Sequence, residues 1–327
     1  MKLRDWRLLP ASTVSRLYER ERDVWQRALS WDTTGSWTTV ESARVSWGLP
    51  GLACVDASGD IRGWAFFIIR HQCLEVGAIV SDDIAATEMI VDGLMDQASE
   101  TLGLRGFVYD QAVGLRNALA RHGVTCSPFL YLLGRSHGQT PESMDEVVSL
   151  SIAHRTPARV DMRPWAHRDA DDTARLLRES YGAAGALFAP SNTHAEWREY
   201  VSTLVEQTGC GVLSPELSRA VTIGGRLQAV ALVTMLGTGT AHLAQLAVDP
   251  ALRRHGVARA LAADVFTGAA RAGYVRMSLL VASENDAARS LYRSLGLGER
   301  GRFLTLRADS AALHAQEHRL VAADGRR

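Results

Sequence analysis

The chain has a single lysine, Lys2, and four cysteines, Cys54, Cys73, Cys126 and Cys210, too scattered to form a C-x-x-C pair. A G-x-x-x-x-G-K-[ST] phosphate loop is therefore excluded, and neither a disulfide framework nor a zinc ribbon has its spacing. The four cysteines read as buried free thiols. Charge of one sign is also missing: 36 basic residues face 36 acidic ones, so no overall positive field would capture nucleic acid or anionic lipid. No apolar run approaches the ~18 residues of a membrane span, and MKLRDWRLLPAS lacks the ~7–15 apolar residues of a secretory leader. The expectation is a soluble, cytoplasmic protein with neither nucleic-acid nor membrane partners. G-x-S-x-G and H-E-x-x-H are absent, and the ten histidines follow no ligand spacing, so no metal is expected. His314 and His318, four apart in the tail, read as polar surface. Gly296–Gly301 matches G-x-G-x-x-G in letters, but it follows an expected helix and opens a strand, the reverse of a dinucleotide fingerprint.

What is present is ordinary globular material: 327 residues, 46% hydrophobic and 22% charged. At ~150 residues per domain this makes about two domains. A repeat supports the division, because two segments roughly 165–170 residues apart give one order of elements. GDIRGWAFFIIRH (59–71) and CLEVGAIVSD (73–82) read as consecutive strands, and so do GGRLQAVALVTML (224–236) and AHLAQLAVDP (241–250). Helix-period segments follow at 84–102 and 256–272, then strands at 105–110 and 275–281. Short Gly-terminated helices at 116–123 and 289–296 lead to closing edge strands at 129–133 and 302–306. Amphipathic helices are expected at about 12–29, 167–181 and 194–208. The fold class is α/β (α+β), with two mixed, mostly antiparallel sheets flanked by helices. The expected boundaries are 1–135, a turn-rich linker at 136–157, 158–308, and a tail or helix at 309–327.

The segment most suggestive of chemistry is the strand LAQLAVDP, the loop ALRRHG and the helix VARALAADVFTGAARAG. Small residues at Gly256 and Ala258 let the backbone approach a pyrophosphate, and the unpaired N–H groups and dipole of a helix N-terminus bind such an anion. Arg253 and Arg254 add positive charge. Further on, VASENDAARSLYRSLGL (281–297) places Asn285, Ala288, Leu291, Tyr292 and Gly296 at N-x-x-A-x-x-L-Y-x-x-x-G spacing. Together, the [Q/R]-x-x-G-x-[G/A] loop after V-x-P and this second motif resemble the acyl-CoA site of the GCN5-related N-acetyltransferases, the GNAT superfamily. The resemblance covers about 158–308 and makes each half a GNAT-like unit.

By that resemblance the backbone of Leu246, Ala247 and Val248 would pair with pantetheine amides. Arg253, Arg254, His255, Gly256, Val257, Ala258 and Arg259 would hold the phosphates, with Asn285 and Ala288 lining the cofactor groove. Tyr292 would be the general acid that protonates the departing thiolate, since a phenol of pKa ~10 is protonated at pH 7. Family members often carry a carboxylate base on the strand ending V-x-P. Here that strand offers His242 and Gln245, and His242, with an unperturbed pKa of ~6.5, is the candidate base beside an equal reading as a packed strand histidine. Strict alternation would put His242, Ala244 and Leu246 on one face and Leu243, Gln245 and Ala247 on the other. Water relays to Glu284 or Glu216 are the remaining options.

The first half lacks this equipment. IVSDDIAATEM passes from strand to helix with no glycine, Leu119 stands where Tyr292 does, and Ala112 stands for Asn285. It reads as a degenerate, non-catalytic copy. Six tryptophans fall within residues 1–64, and they read either as a ring-binding pocket or, preferably, as core aromatics pinning two helices on a sheet. SWDTTGSW (30–37) is the expected mobile flap. The implied activity is acetyl transfer from acetyl-CoA to a primary amine of a small molecule by a monomer or homodimer. The tandem pattern is similar to that of mycothiol synthases and of acyltransferases of antibiotic biosynthesis or resistance. A longer acyl-CoA donor, an aminoacyl-tRNA donor and a non-catalytic CoA-binding module stay open as alternatives.

Overall fold

A computed structural model describes residues 1–70, 72–98, 103–136, 160–182, 185, 188–189, 191–206, 210–237 and 239–308. The expected linker, apart from residue 136, and the tail at 309–327, with His314 and His318, lie outside the described residues. The N-terminal half runs β1 (Lys2–Asp5), α1 (Ala11–Leu29), α2 (Thr34–Val45), β2 (Gly51–Val55), β3 (Ile61–Arg70), β4 (Cys73–Ser81), α3 (Ile84–Gln97), β5 (Gly103–Tyr109), α4 (Leu115–Arg121) and β6 (Thr125–Arg135). The C-terminal half runs β7 (Val160–Pro164), α5 (Ala170–Tyr181), α6 (His194–Glu206), β8 (Val212–Leu213), β9 (Arg219–Ile223), β10 (Arg226–Met235), β11 (Thr240–Val248), α7 (Val257–Arg271), β12 (Arg276–Ala282), α8 (Asp286–Ser294) and β13 (Gly298–Ala308). Apolar periodicity placed most of these elements. The β9–β10 hairpin turns on Gly224 and Gly225, whose φ values of 58° and 81° suit a tight two-residue turn.

All strands join one sheet of order β1-β2-β3-β4-β5-β13-β6-β12-β11-β10-β9-β7, with β8 beside β10. Among the described residues only β4–β5 and β11–β12 pair in parallel. The closing strands depart from expectation, for they are central rather than edge strands and they are exchanged. β6 lies against β12 of the second half, β13 lies against β5 of the first, and the two pair with each other. The exchange continues into the cores. Leu304 and Leu306 of β13 are buried among Ile90, Leu94 and Leu119 of the first half, and Leu130 and Leu132 of β6 among Leu261 and Phe266 of the second. Neither half closes its core with its own chain alone.

Alternation sorts the helices by face. On β10, Ala229, Ala231 and Val233 pack in the α7 core while Val230 and Leu232 pack against α5 and α6. On β3, Ala65 and Phe67 pack towards α3 while Trp64 and Phe66 pack towards α1 and α2. Over the sheet centre, Leu29 and Trp31 cover Tyr131 and Phe303. Of the six tryptophans, Trp6, Trp31 and Trp64 are buried in the core, with the rings of Trp6 and Trp64 stacked at 5.8 Å, whereas Trp25 and Trp37 are half-buried and Trp47 is exposed. The expected flap at 30–37 is instead a packed corner. Trp31 is 5% exposed, the Asp32 side chain accepts from Thr34 N at 3.0 Å, and α2 starts there.

Candidate active site

The site begins with a defect in β11. Leu232 faces Gln245 and Val233 faces Leu243, so Ala244 is an extra residue, a β-bulge that resets alternation. Gln245 therefore meets Tyr181 and Tyr200 on the α5–α6 face, the face on which His242 meets Trp31 and Tyr131. Strict alternation had separated these two residues, and the bulge corrects it. β11 and β12 pair only from Thr240↔Arg276 to Leu243↔Leu279 and then part. Beyond that point Leu246, Ala247 and Val248 keep β10 on one side and turn the other backbone edge towards the opening. Free backbone groups of this kind require a partner, and an extended amide-bearing ligand supplies one.

At the mouth of the opening, Asp249 accepts from Ala251 N at 2.9 Å and starts one 3-10 turn, Pro250–Leu252. Arg254 and Gly256 then take φ of 69° and 84°. Gly256 is the N-cap of α7, and the helix starts at Val257 with no side-chain cap, so its first N–H groups stay open. Arg253, Arg254 and His255 are exposed around this end; Arg253 Nη2 donates to the Ser180 carbonyl at 2.5 Å. Arg259, one turn on, donates to Ser294 Oγ at 3.1 Å and ties α7 to α8. Ala258 is half-buried against the α7 core. The cradle thus joins open donors, positive charge and small side chains, which fits a pyrophosphate.

On the far wall, Asn285 caps α8 by accepting from Ala288 N at 3.1 Å, while Ala288 and Leu291 pack on the core. That cap fixes the turn from which Tyr292 enters. Tyr292 is 8% exposed, and its hydroxyl has no hydrogen-bond partner among the described residues. Burial, with Tyr181 nearby, pushes its pKa well above the ordinary phenol value, so it is protonated at neutral pH. Two tyrosines without motif status sit close by. Tyr181 donates to Gln245 Oε1 at 2.7 Å, and Gln245 Nε2 donates to Tyr200 at 2.5 Å. Both amide ends of Gln245 are thus used. Burial raises the Tyr181 pKa to about 12 and that of Tyr200 further. Neither residue carries a motif; the only sequence signal was the apolar-aromatic face Trp197, Tyr200, Val201, Leu204 of α6.

His242 lies before the opening, where β11 and β12 still pair. It is 2% exposed, its Nδ1 is 2.9 Å from Ser278 Oγ, and its ring stacks on Tyr131 and tilts against Trp31. Burial lowers its pKa to about 4. Glu284 is exposed in the turn before α8, and Glu216 accepts from Ser214 Oγ at 3.2 Å in the turn before β9. Among the described residues no group of three or more His, Cys, Asp or Glu side chains could hold a metal ion, and no helix is long and apolar enough to cross a membrane.

Comparison with known proteins bears on the fold and on residues 174–297. Residues 174–297 match the family model of the acetyltransferase (GNAT) family. A GCN5-related N-acetyltransferase from Sphaerobacter thermophilus is 18% identical and superposes with a TM-score of 0.56 over 80% of each chain. A GNAT-family acetyltransferase from Colwellia psychrerythraea is 13% identical with a TM-score of 0.53, over 94% of this chain and 99% of the other. A tandem GNAT protein of the clavulanic acid biosynthesis pathway is 13% identical with a TM-score of 0.50, over 80% and 83%. At these identities the structures speak for the fold alone. No curated protein matches the chain in sequence. Residues 174–297 thus carry a domain similar to the acetyltransferase (GNAT) family, set in a fold that solved GNAT-family structures share over most of the chain's length.

Proposed function

We propose that the C-terminal half transfers an acetyl group from acetyl-CoA to a primary amine of a small molecule. The observation that carries this reading is the uncapped α7 N-terminus at Gly256 set at the mouth of the β11–β12 opening, with Tyr292 on its far wall. In this reading the α7 N–H groups with Arg253 and Arg254 hold the diphosphate. The free edge of Leu246–Val248 pairs with the pantetheine amides and keeps the thioester extended along β11.

The amine enters from the α5–α6 side, past the Tyr181–Gln245–Tyr200 chain, and attacks the thioester carbonyl as the free base. Backbone N–H groups near Leu246 and Val248 stabilise the tetrahedral oxyanion, the C–S bond breaks, and the thiolate takes the Tyr292 proton. The phenolate recovers its proton from the acylated ammonium through solvent. We assign His242 to packing, because a pKa near 4 leaves it a poor acceptor for an ammonium proton. The acceptor is a natural-product-like or amino-acid-like amine, and the enzyme works in the cytoplasm as a monomer or homodimer.

The test is acetyl-CoA-dependent thiol release across a panel of small amines, comparing the wild type with Tyr292→Phe. Turnover with at least one amine, strongly reduced in the variant, supports the reading; equal turnover removes Tyr292 from the chemistry.

A further inference from the structure

The N-terminal half has an opening of its own. β4 and β5 pair only from Cys73↔Gly103 to Val76↔Gly106 and then diverge, as β11 and β12 do. Gly77 is the bulged residue, between Val76↔Phe67 and Ala78↔Phe66. This opening is not a second CoA groove, because Asp83 Oδ1 already accepts from Ala86 N at 2.8 Å and sets a carboxylate on the α3 N-terminus. On its α1–α2 side, however, lies a cavity lined by Glu21, Trp25, Trp37, Phe107, Tyr109 and Gln111 above the 77–80 stretch of β4.

Among the described residues Glu21 has no ion-pair partner. It is 3% exposed and accepts from Gln111 Nε2 at 2.6 Å, a neutral partner. The neighbouring Arg20 is spent on Asp82 at the surface, 3.0 Å away. Burial pushes the Glu21 pKa up, opposed by Gln111, by Arg20 at a distance and by the nearby Trp25 N–H. That indole N–H leans towards the carboxylate without forming a good hydrogen bond; Trp25 Nε1 and Trp37 Nε1 are both buried with no acceptor among the described residues. Buried polar groups are ordinarily paired, and two unpaired indole N–H groups beside one carboxylate without an ion-pair partner among the described residues mark the place of a guest.

The lining states the guest's chemistry. Aromatic rings and one carboxylate suit an organic cation, whose charge is stabilised by the carboxylate and by the π faces. A hard metal ion needs about six or more oxygen ligands, which one carboxylate and one amide do not supply. We propose that the N-terminal cleft binds a small organic ammonium ion, held by Glu21 and by the rings of Trp25, Trp37 and Tyr109. The two indole N–H groups add a preference for an oxygen acceptor next to the ammonium head. The site is separate from the acyl-transfer centre and stands whether or not that centre acts as proposed.

The probe is choline, with 3,3-dimethylbutan-1-ol as its neutral isostere, titrated into the full-length protein and read by calorimetry and tryptophan fluorescence. Choline should bind at one site, at least ~10-fold more tightly than the isostere. Glu21→Gln keeps the shape and the Gln111 contact but removes the charge; it should weaken choline binding by ~10-fold or more while far-UV dichroism and acetyl-CoA affinity stay unchanged. Should that variant misfold, the choline-to-isostere ratio on the wild type decides alone. Equal affinity for the two probes, full choline affinity in a folded Glu21→Gln protein, or no choline binding would overturn the proposal.

Discussion

Asp83 and Gly256 hold the same station in the two halves, each the N-cap of the helix that follows a diverging strand, and they set it in opposite states. The Asp83 carboxylate closes the end of α3 on Ala86 N at 2.8 Å, whereas Gly256, at φ 84°, leaves the end of α7 open. One residue thus supplies the anion that the other half leaves for a ligand.

Gly256→Asp should copy the closed state into the C-terminal half. An added carboxylate takes up the α7 N–H groups and repels phosphate, and a non-glycine residue at positive φ adds about 1 kcal/mol of strain. Acetyl-CoA affinity should fall by ~100-fold or more with the fold intact, as read by calorimetry and circular dichroism. Retained affinity would place the diphosphate elsewhere.

Tyr292→Phe keeps the buried ring and removes the proton. If the phenol is the acid, kcat should drop by ~10²-fold while acetyl-CoA affinity changes little. A rise in KM with kcat unchanged would mark a positioning role instead.

His242 gives a prediction about stability. Burial lowers its folded pKa to about 4 from the ordinary imidazole value of ~6.5, so between those values the unfolded chain binds the extra proton. Stability conferred by the neutral, buried ring is therefore full above pH ~6.5 and is lost as pH falls towards ~4, by roughly 3 kcal/mol. Denaturant titrations of wild type and His242→Gln from pH 4 to 7 should show that slope in the former and a flatter one in the latter. Turnover of His242→Gln at pH 7 should stay within about threefold of wild type; a loss of ~10²-fold would reinstate His242 as a base.

The exchanged strands predict interdependent halves. Leu304→Ala sits in the C-terminal sequence yet opens a hole in the N-terminal core, and should cost about 2–5 kcal/mol in a single denaturation transition. Expressed apart, 1–135 and 158–308 should each fail to give a cooperative transition, and co-expression should restore one. Two independently cooperative halves would contradict the exchange.

How far the sequence revealed this molecule depended on how local each constraint was. The loop-to-helix turn at Arg253–Ala258 was legible because it is a matter of consecutive backbone, and the helix that carries Tyr292 because it begins four residues after a strand at a fixed cap, Asn285. The strand exchange was not legible, since the pattern of β6 and β13 says that they are strands and nothing about which open edge receives them. Ala244 was missed because alternation counts residues and a bulge adds one without a chemical mark. The start of α2 was misread because Thr33, Thr34, Gly35 and Ser36 are turn formers; burial of Trp31 and the Asp32 hydrogen bonds to Thr34 decide the matter. The environment of His242 is made by Trp31 and Tyr131, more than a hundred residues away in sequence, and no spacing rule reaches that far.

The central claim, one open acyl-CoA site in a two-part sheet, is tested most directly by calorimetric titration of the full-length protein with acetyl-CoA. The account predicts one site per chain, abolished by Gly256→Glu and untouched by Glu21→Gln. Two sites per chain, or none, would contradict it.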